Sequence, residues 1–206
     1  MADSYAEPSV AADASSQIIA VLRNLLAERY PELGAHVNTV ARLSGAVASE
    51  LTLPDDESRA LSQAAFLHDI GKLSLPESLL AKQGPLDGGE WRLMRLHTVV
   101  GCQILAAAGL RHRVIEFVRS SHERIDGTGY PDGLTGEAIP LGARIIAVCD
   151  AYDAMISPRP YRRVPMSSAG AVLELMRWSG TQFDQAVVNA LSFRLLRDDS
   201  PVPVPA

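Results

Sequence analysis

The chain has 206 residues, 47% of them hydrophobic and 21% charged, the composition of one ordinary globular domain with room for a sizeable core. The 19 Lys and Arg residues against 24 Asp and Glu leave a net charge of −5, the wrong sign for a protein that grips DNA or RNA by its phosphates. The longest apolar runs, such as Ile18 to Leu22 and Ile145 to Cys149, fall far short of the ~20 residues that cross a membrane.

Residues 1–14 are small and polar and are expected to be disordered. Helical periodicity begins with the stripe Ile18, Ile19, Leu22, Leu25 and Leu26. A second stripe runs through Val37, Val40, Leu43, Val47 and Leu51. Pro54 and Asp55 mark the start of a third helix carrying Leu61, Ala64, Ala65 and Leu67. Asp87 followed by Glu90 has capping-box spacing and opens a helix through Trp91, Met94 and Ile104. Further helices are expected over about Val114 to His122, Leu141 to Ile156, Ala169 to Trp178 and Gln185 to Leu195. Period-2 patterns are scarce and aromatic residues make up only 5%, so the fold class is all-α. The end, 198–206, is Pro-rich and reads as a flexible tail. Asp3 and Glu7, with no early Lys or Arg, do not form a secretory signal, and two cysteines, Cys102 and Cys149, make no disulfide framework. The expected compartment is the cytoplasm.

Chemistry enters with the five histidines. His36, His68, His97 and His122 fall on or at the ends of different expected helices, whereas His112 sits between two arginines and reads as solvated. His68 and Asp69 close the apolar stretch Ala64 to Leu67, and Asp150 follows the apolar run Ile145 to Cys149. A carboxylate in such surroundings needs a cationic partner. An arginine would serve, and so would a metal ion, for which imidazole and carboxylate are suitable ligands.

His68-Asp69-Ile70-Gly71-Lys72 resembles the HD signature of metal-dependent phosphohydrolases. His122-Glu123-Arg124-Ile125-Asp126-Gly127-Thr128-Gly129-Tyr130-Pro131 resembles the HHExxDGxGYP motif of the HD-GYP subfamily. Asp150 to Met155 and Ser157 to Arg162 match the segments that follow there. The resemblance implies an HD-type bundle of about seven to eight helices over residues 15–197. It further implies a cytosolic bacterial phosphodiesterase that opens cyclic di-GMP to linear pGpG, and sometimes onward to GMP.

Carried over by position, the resemblance implies that His36, His68, Asp69 and Asp150 hold one metal. Asp69 bridges to a second, held by His97 and His122. Iron or manganese is expected, in a two-metal or three-metal site. Glu32, four residues before His36, is either a ligand of a third ion or an acid stabilised by a helix N-terminus. Lys72 is implied to be catalytic with Asp69, its ammonium on a phosphate oxygen; otherwise it is a surface lysine. Arg159 and Arg162 suit phosphate recognition or a solvated basic loop. Tyr130 either stacks on guanine or packs its loop down, and in the family that loop is associated with GGDEF-domain partners. The resemblance leaves a homodimer open and implies no membrane partner. One departure stands out: Ser121 occupies the place of the first motif histidine. A hydroxyl is the poorer ligand, so fewer metals, or a module that only binds cyclic di-GMP or a GGDEF partner, is the expectation to set against catalysis; an HD phosphohydrolase for another phosphoester is the third reading.

Overall fold

The computed structural model describes residues 8–158 and 164–197, with the side chains of residues 8–15 excepted. Among these residues there are nine α-helices and no strand. Helix α1 (Pro8–Arg29) begins within the segment expected to be disordered, and α2 (Pro31–Glu50) follows after a single residue. Pro31 at the first position of α2 costs no hydrogen bond, since that N–H has no helical acceptor. Helix α3 (Asp55–Leu67) carries Asp55, Asp56 and Glu57 in its first turn, where the helix dipole favours negative charge. A 3-10 turn, Ile70–Ser74, and the four-residue α4 (Glu77–Leu80) lead to α5 (Gly88–Ala107).

The capping box at the start of α5 forms as its spacing predicts. Asp87 accepts from the Gly89 and Glu90 amides at 2.7 and 2.9 Å, and Glu90 accepts from the Asp87 amide at 2.8 Å. Helix α6 (His112–Arg119) is shorter than periodicity suggests and stops three residues before His122. A long loop with one 3-10 turn, Gly136–Ala138, connects it to α7 (Leu141–Ile156). Helices α8 (Ser168–Arg177) and α9 (Gln185–Arg197) complete the bundle.

Helix α2 is central, packing on α1, α3, α7 and α9. Its stripe Val37, Val40, Leu43 and Val47 meets Leu26, Leu61, Leu67, Ile145, Val148 and Leu191, all fully or nearly fully buried. Each such aliphatic side chain stabilises the fold by roughly 1.5–3 kcal/mol before entropy is counted. This core holds α2, α3 and α7 together, and α5 joins them through the 3-10 turn and α6. Both cysteines are free and buried. No helix among the described residues is long and apolar enough to cross a membrane.

Candidate metal centre

Helix α3 ends at Leu67, leaving His68 at its C-cap and Asp69 ahead of the 3-10 turn. Both side chains are buried, Asp69 at 1% exposure. The tight passage requires Gly71: a Cβ there would run into the His97 carbonyl carbon and the Gly101 amide, both 2.7 Å away. The glycine of the signature therefore lets the turn lie directly against α5, which carries His97. From α2, one helical face delivers His36. From the turn after α6 comes His122.

Two groups result, and they share Asp69. His36, His68 and Asp69 form the first; Asp69, His97 and His122 form the second, with the candidate ligand atoms of each lying within 4.8 Å of one another. Asp69 Oδ2 is 3.7 Å from His68 Nε2 and 3.9 Å from His36 Nε2, while Oδ1 is 3.6 Å from His97 Nε2. These separations are too long for hydrogen bonds. His68 Nε2, His97 Nε2, His122 Nε2 and Asp69 Oδ1 are all buried without a hydrogen-bond partner. Four orphaned polar atoms converging in one place would cost several kcal/mol if nothing satisfied them.

The tautomers are set from behind. His68 Nδ1 donates to the Ala65 carbonyl at 2.8 Å, and His97 Nδ1 donates to the Met94 carbonyl at 2.7 Å. A carbonyl only accepts, so the proton resides on Nδ1 and the Nε2 lone pair faces the cluster, the arrangement that metal-binding imidazoles adopt. Burial pushes His122 down to about 3, with neighbouring His97 acting the same way. Burial also lowers His97. Both rings are therefore neutral, as a ligand must be. Burial alone would raise Asp69, but Lys72 and the imidazoles of His68, His97 and His36 hold it well below the usual carboxylate range. The donor set is imidazole and carboxylate, and it fits divalent iron, manganese or zinc.

Helix α7 grips His36 at both nitrogens. Nε2 lies 3.0 Å from Asp150 Oδ1, and Nδ1 donates to Asp153 Oδ2 at 2.5 Å. Burial opposes charge on this ring, yet the hydrogen bonds to the two carboxylates prevail and push it up to about 9, so a metal ion held at Nε2 would have to displace the proton there. Asp153 has no role in the sequence reading. Its signal is the three-residue spacing from Asp150, which puts both acids on one face of α7.

The other expected residues fall as follows. Lys72 donates to Asp69 Oδ2 at 2.7 Å and is partly buried, so it belongs to the cluster's edge. Glu32 is exposed in the first turn of α2 and joins neither group. Tyr130 stacks on His122, with centroids 5.1 Å apart and an interplanar angle of 10°. This ring packs the loop onto the cluster. Arg159 and Arg162 lie outside the described residues. Ser121 is buried, and its hydroxyl donates to the Val118 carbonyl at 2.9 Å.

Glu123 is a second residue whose role the sequence reading lacks. It is 3% exposed and accepts from three successive amides, Asp132 at 2.7 Å, Gly133 at 3.1 Å and Leu134 at 3.1 Å. One carboxylate thus closes the loop that presents Tyr130. Gly129 completes the fold of that loop, because a Cβ there would strike the Glu123 backbone. Beside the cluster opens a cavity of about 360 Å³, bounded by His122, Tyr130 and Asp150 on its inner side, within the size range of small-ligand sites.

An HD domain family model matches residues 20–187. The chain belongs to the HD domain family. Its resemblance to the HD-GYP subfamily is borne out by the relatives. It is 43% identical over 162 residues to the cyclic di-GMP phosphodiesterase response regulator RpfG of Xanthomonas campestris pv. campestris, covering 76% of this chain and 42% of that protein. It is 35% identical over 181 residues to the 3'3'-cGAMP-specific phosphodiesterase 2 of Vibrio cholerae, covering 87% of this chain and 34% of that protein. Among solved structures, Bd1817, an HDG"Y"P protein from Bdellovibrio bacteriovorus, superposes with a TM-score of 0.65 at 25% identity, covering 78% of this chain and 51% of that one. The chain thus spans less than half the length of these two curated relatives.

Proposed function

We propose that this chain is a metal-dependent phosphodiesterase that hydrolyses cyclic di-GMP to linear pGpG. The observation that carries the reading is the buried Asp69 carboxylate shared by two histidine groups whose Nε2 atoms have no protein partner. His36, His68, Asp69 and Asp150 would hold one divalent ion, and Asp69, His97 and His122 a second. Such a pair supplies Lewis-acid stabilisation of phosphoryl charge and a nucleophile available at neutral pH. Iron or manganese suits the donor set. Two ions are favoured over three, since Glu32 is exposed and Ser121 turns its hydroxyl to Val118.

The chain's own groups have distinct tasks in this reading. Asp153 holds the His36 ring in register through Nδ1. Lys72, beside Asp69, brings a positive charge within reach of a non-bridging phosphate oxygen and stabilises it as charge develops. Tyr130 covers His122 and keeps water from that flank. Arg159 and Arg162 would grip the second phosphate, for which the guanidinium fork is suited. The catalytic domain would be residues 15–197, working in the cytoplasm, with the 127–134 loop as the contact for a GGDEF partner.

The sequence match to relatives that cleave cyclic dinucleotides supports the substrate class. Ser121 favours one competing reading, a module that binds without turnover. Incubation of anaerobically purified, metal-analysed protein with cyclic di-GMP tests the proposal. Formation of pGpG that is lost in Asp69→Ala supports it. Tight binding without product selects the binding module, and turnover of other phosphoesters alone refutes the substrate.

A further inference from the structure

The cavity beside the cluster has an outer wall that the phosphodiester chemistry does not use. Trp91 and Arg95, one turn apart on α5, both line it, together with loop residues and Gln182. Trp91 is 47% exposed, and no hydrogen bond or ring contact occupies its indole among the described residues. An exposed tryptophan at the mouth of a polar cavity leaves a large apolar face in water. Arg95 is exposed as well. Its guanidinium rests over the Tyr130 ring, 5.3 Å from the centroid, and it makes no ion pair among the described residues. The other arginine of the cavity, Arg124, already faces Asp126 at 3.3 Å. Arg95 is therefore the cation of this wall with no carboxylate partner among the described residues, held there by the Tyr130 ring face. Tyr130 is a poorer platform for a base, because its face is taken by His122.

We propose that Trp91 and Arg95 form a purine-binding wall, in which Trp91 stacks on one base of the cyclic dinucleotide and Arg95 selects guanine. The inference rests on the reading of this chain as a cyclic-dinucleotide phosphodiesterase. A planar purine is the natural cover for the exposed indole, since base stacking on an aromatic side chain needs no particular sequence. Guanine presents O6 and N7 as adjacent acceptors, which match the donor fork of arginine, whereas adenine presents a donor at the same edge. The helical spacing places the fork one turn from the stacking surface. A dinucleotide seated here would have its phosphates directed inward, toward His122 and Asp150 on the same cavity. The cavity lining includes neither Asp69 nor Lys72, so the wall would set which dinucleotide is held rather than how the ester is broken.

Two measurements test this. The first is steady-state kinetics of wild type, Trp91→Ala and Arg95→Ala with cyclic di-GMP and cyclic di-AMP, at equal metal content. Trp91→Ala is expected to raise KM for cyclic di-GMP roughly tenfold or more, with a smaller change in kcat. Arg95→Ala is expected to lower the guanine-over-adenine ratio of kcat/KM roughly tenfold. Because this ratio compares two substrates on one protein, a loss of fold or metal cancels from it. The second is rapid-mixing fluorescence in a Trp178→Phe background, which leaves Trp91 as the sole indole; cyclic di-GMP is expected to quench it saturably. If wild type turns over cyclic di-GMP while KM, the ratio and the fluorescence do not move, the wall is refuted and the function stands. Quenching with an unchanged ratio in Arg95→Ala refutes the guanine assignment. If wild type neither binds nor cleaves any cyclic dinucleotide, the underlying function fails.

Discussion

Replacing Glu123 by Gln tests how the loop over the cluster is held. In the native chain one carboxylate oxygen accepts from the Asp132 and Gly133 amides and the other from Leu134. Gln keeps the shape but turns one acceptor into a donor, so at most two of the three bonds survive and an N–H is set against an N–H. Losing one bond to a charged acceptor costs about 1.5–3 kcal/mol. That is a factor of roughly 10–100 in the opening equilibrium of the loop. Asp132 and Gly133 are exposed, so water can satisfy the freed amides and the damage should stay local. The assay is native-state hydrogen exchange at residues 132–134 alongside urea denaturation. Exchange should accelerate roughly 10- to 100-fold at these amides while those of α2 and α7 keep their protection. Undisturbed protection at all three would refute the clamp, and an equal loss throughout the bundle would mean that Glu123 supports the whole fold.

Lys72→Ala should keep its metal and lose roughly 100-fold or more in rate, as when one charge donor to a transition state is deleted; metal analysis with single-turnover kinetics checks this, and an unchanged rate returns Lys72 to the surface. Ser121→His should raise metal affinity, since an imidazole enters the polar cavity that Ser121 lines; a competitive chelator titration reads the change. Gly71→Ala should destabilise the chain by more than ~2 kcal/mol in denaturant unfolding, because the added carbon overlaps backbone that no rotamer change relieves.

Much of the bundle is legible in the sequence because α2, α3 and α7 each bury one stripe, and a stripe of period 3.6 is what the core demands. The capping box of α5 is legible for the same kind of reason: Asp87 and Glu90 act within four residues. The 3-10 turn at Ile70–Ser74 and α4 are not, since they are shorter than any hydrophobic period. At the site, His68, Asp69 and Asp150 are visible as costly polar groups at the ends of apolar runs, whereas His36, His97 and His122 enter through the resemblance to the HD-GYP motif. Asp153 and Glu123 escape because their partners are far away in the chain: Asp153 answers a ring 117 residues back, and Glu123 answers backbone amides, which leave no trace in a sequence. Glu32 shows the limit of spacing alone. Its spacing from His36 is right for a shared face, but the first turn of α2 leaves it in solvent. Trp91 reads as part of a helical stripe and is in fact at a cavity mouth, because periodicity marks a face without saying whether protein covers it.

The central claim is that the two groups sharing Asp69 form a working pair of metal sites. It is tested most directly by elemental analysis of anaerobically purified protein, with metal per chain compared between wild type and Asp69→Ala. The account predicts close to two divalent ions per chain in wild type and nearly none in the variant, because the bridging carboxylate serves both groups. A wild type that takes up no ion when manganese or ferrous iron is supplied, or an Asp69→Ala protein that keeps both, would contradict it.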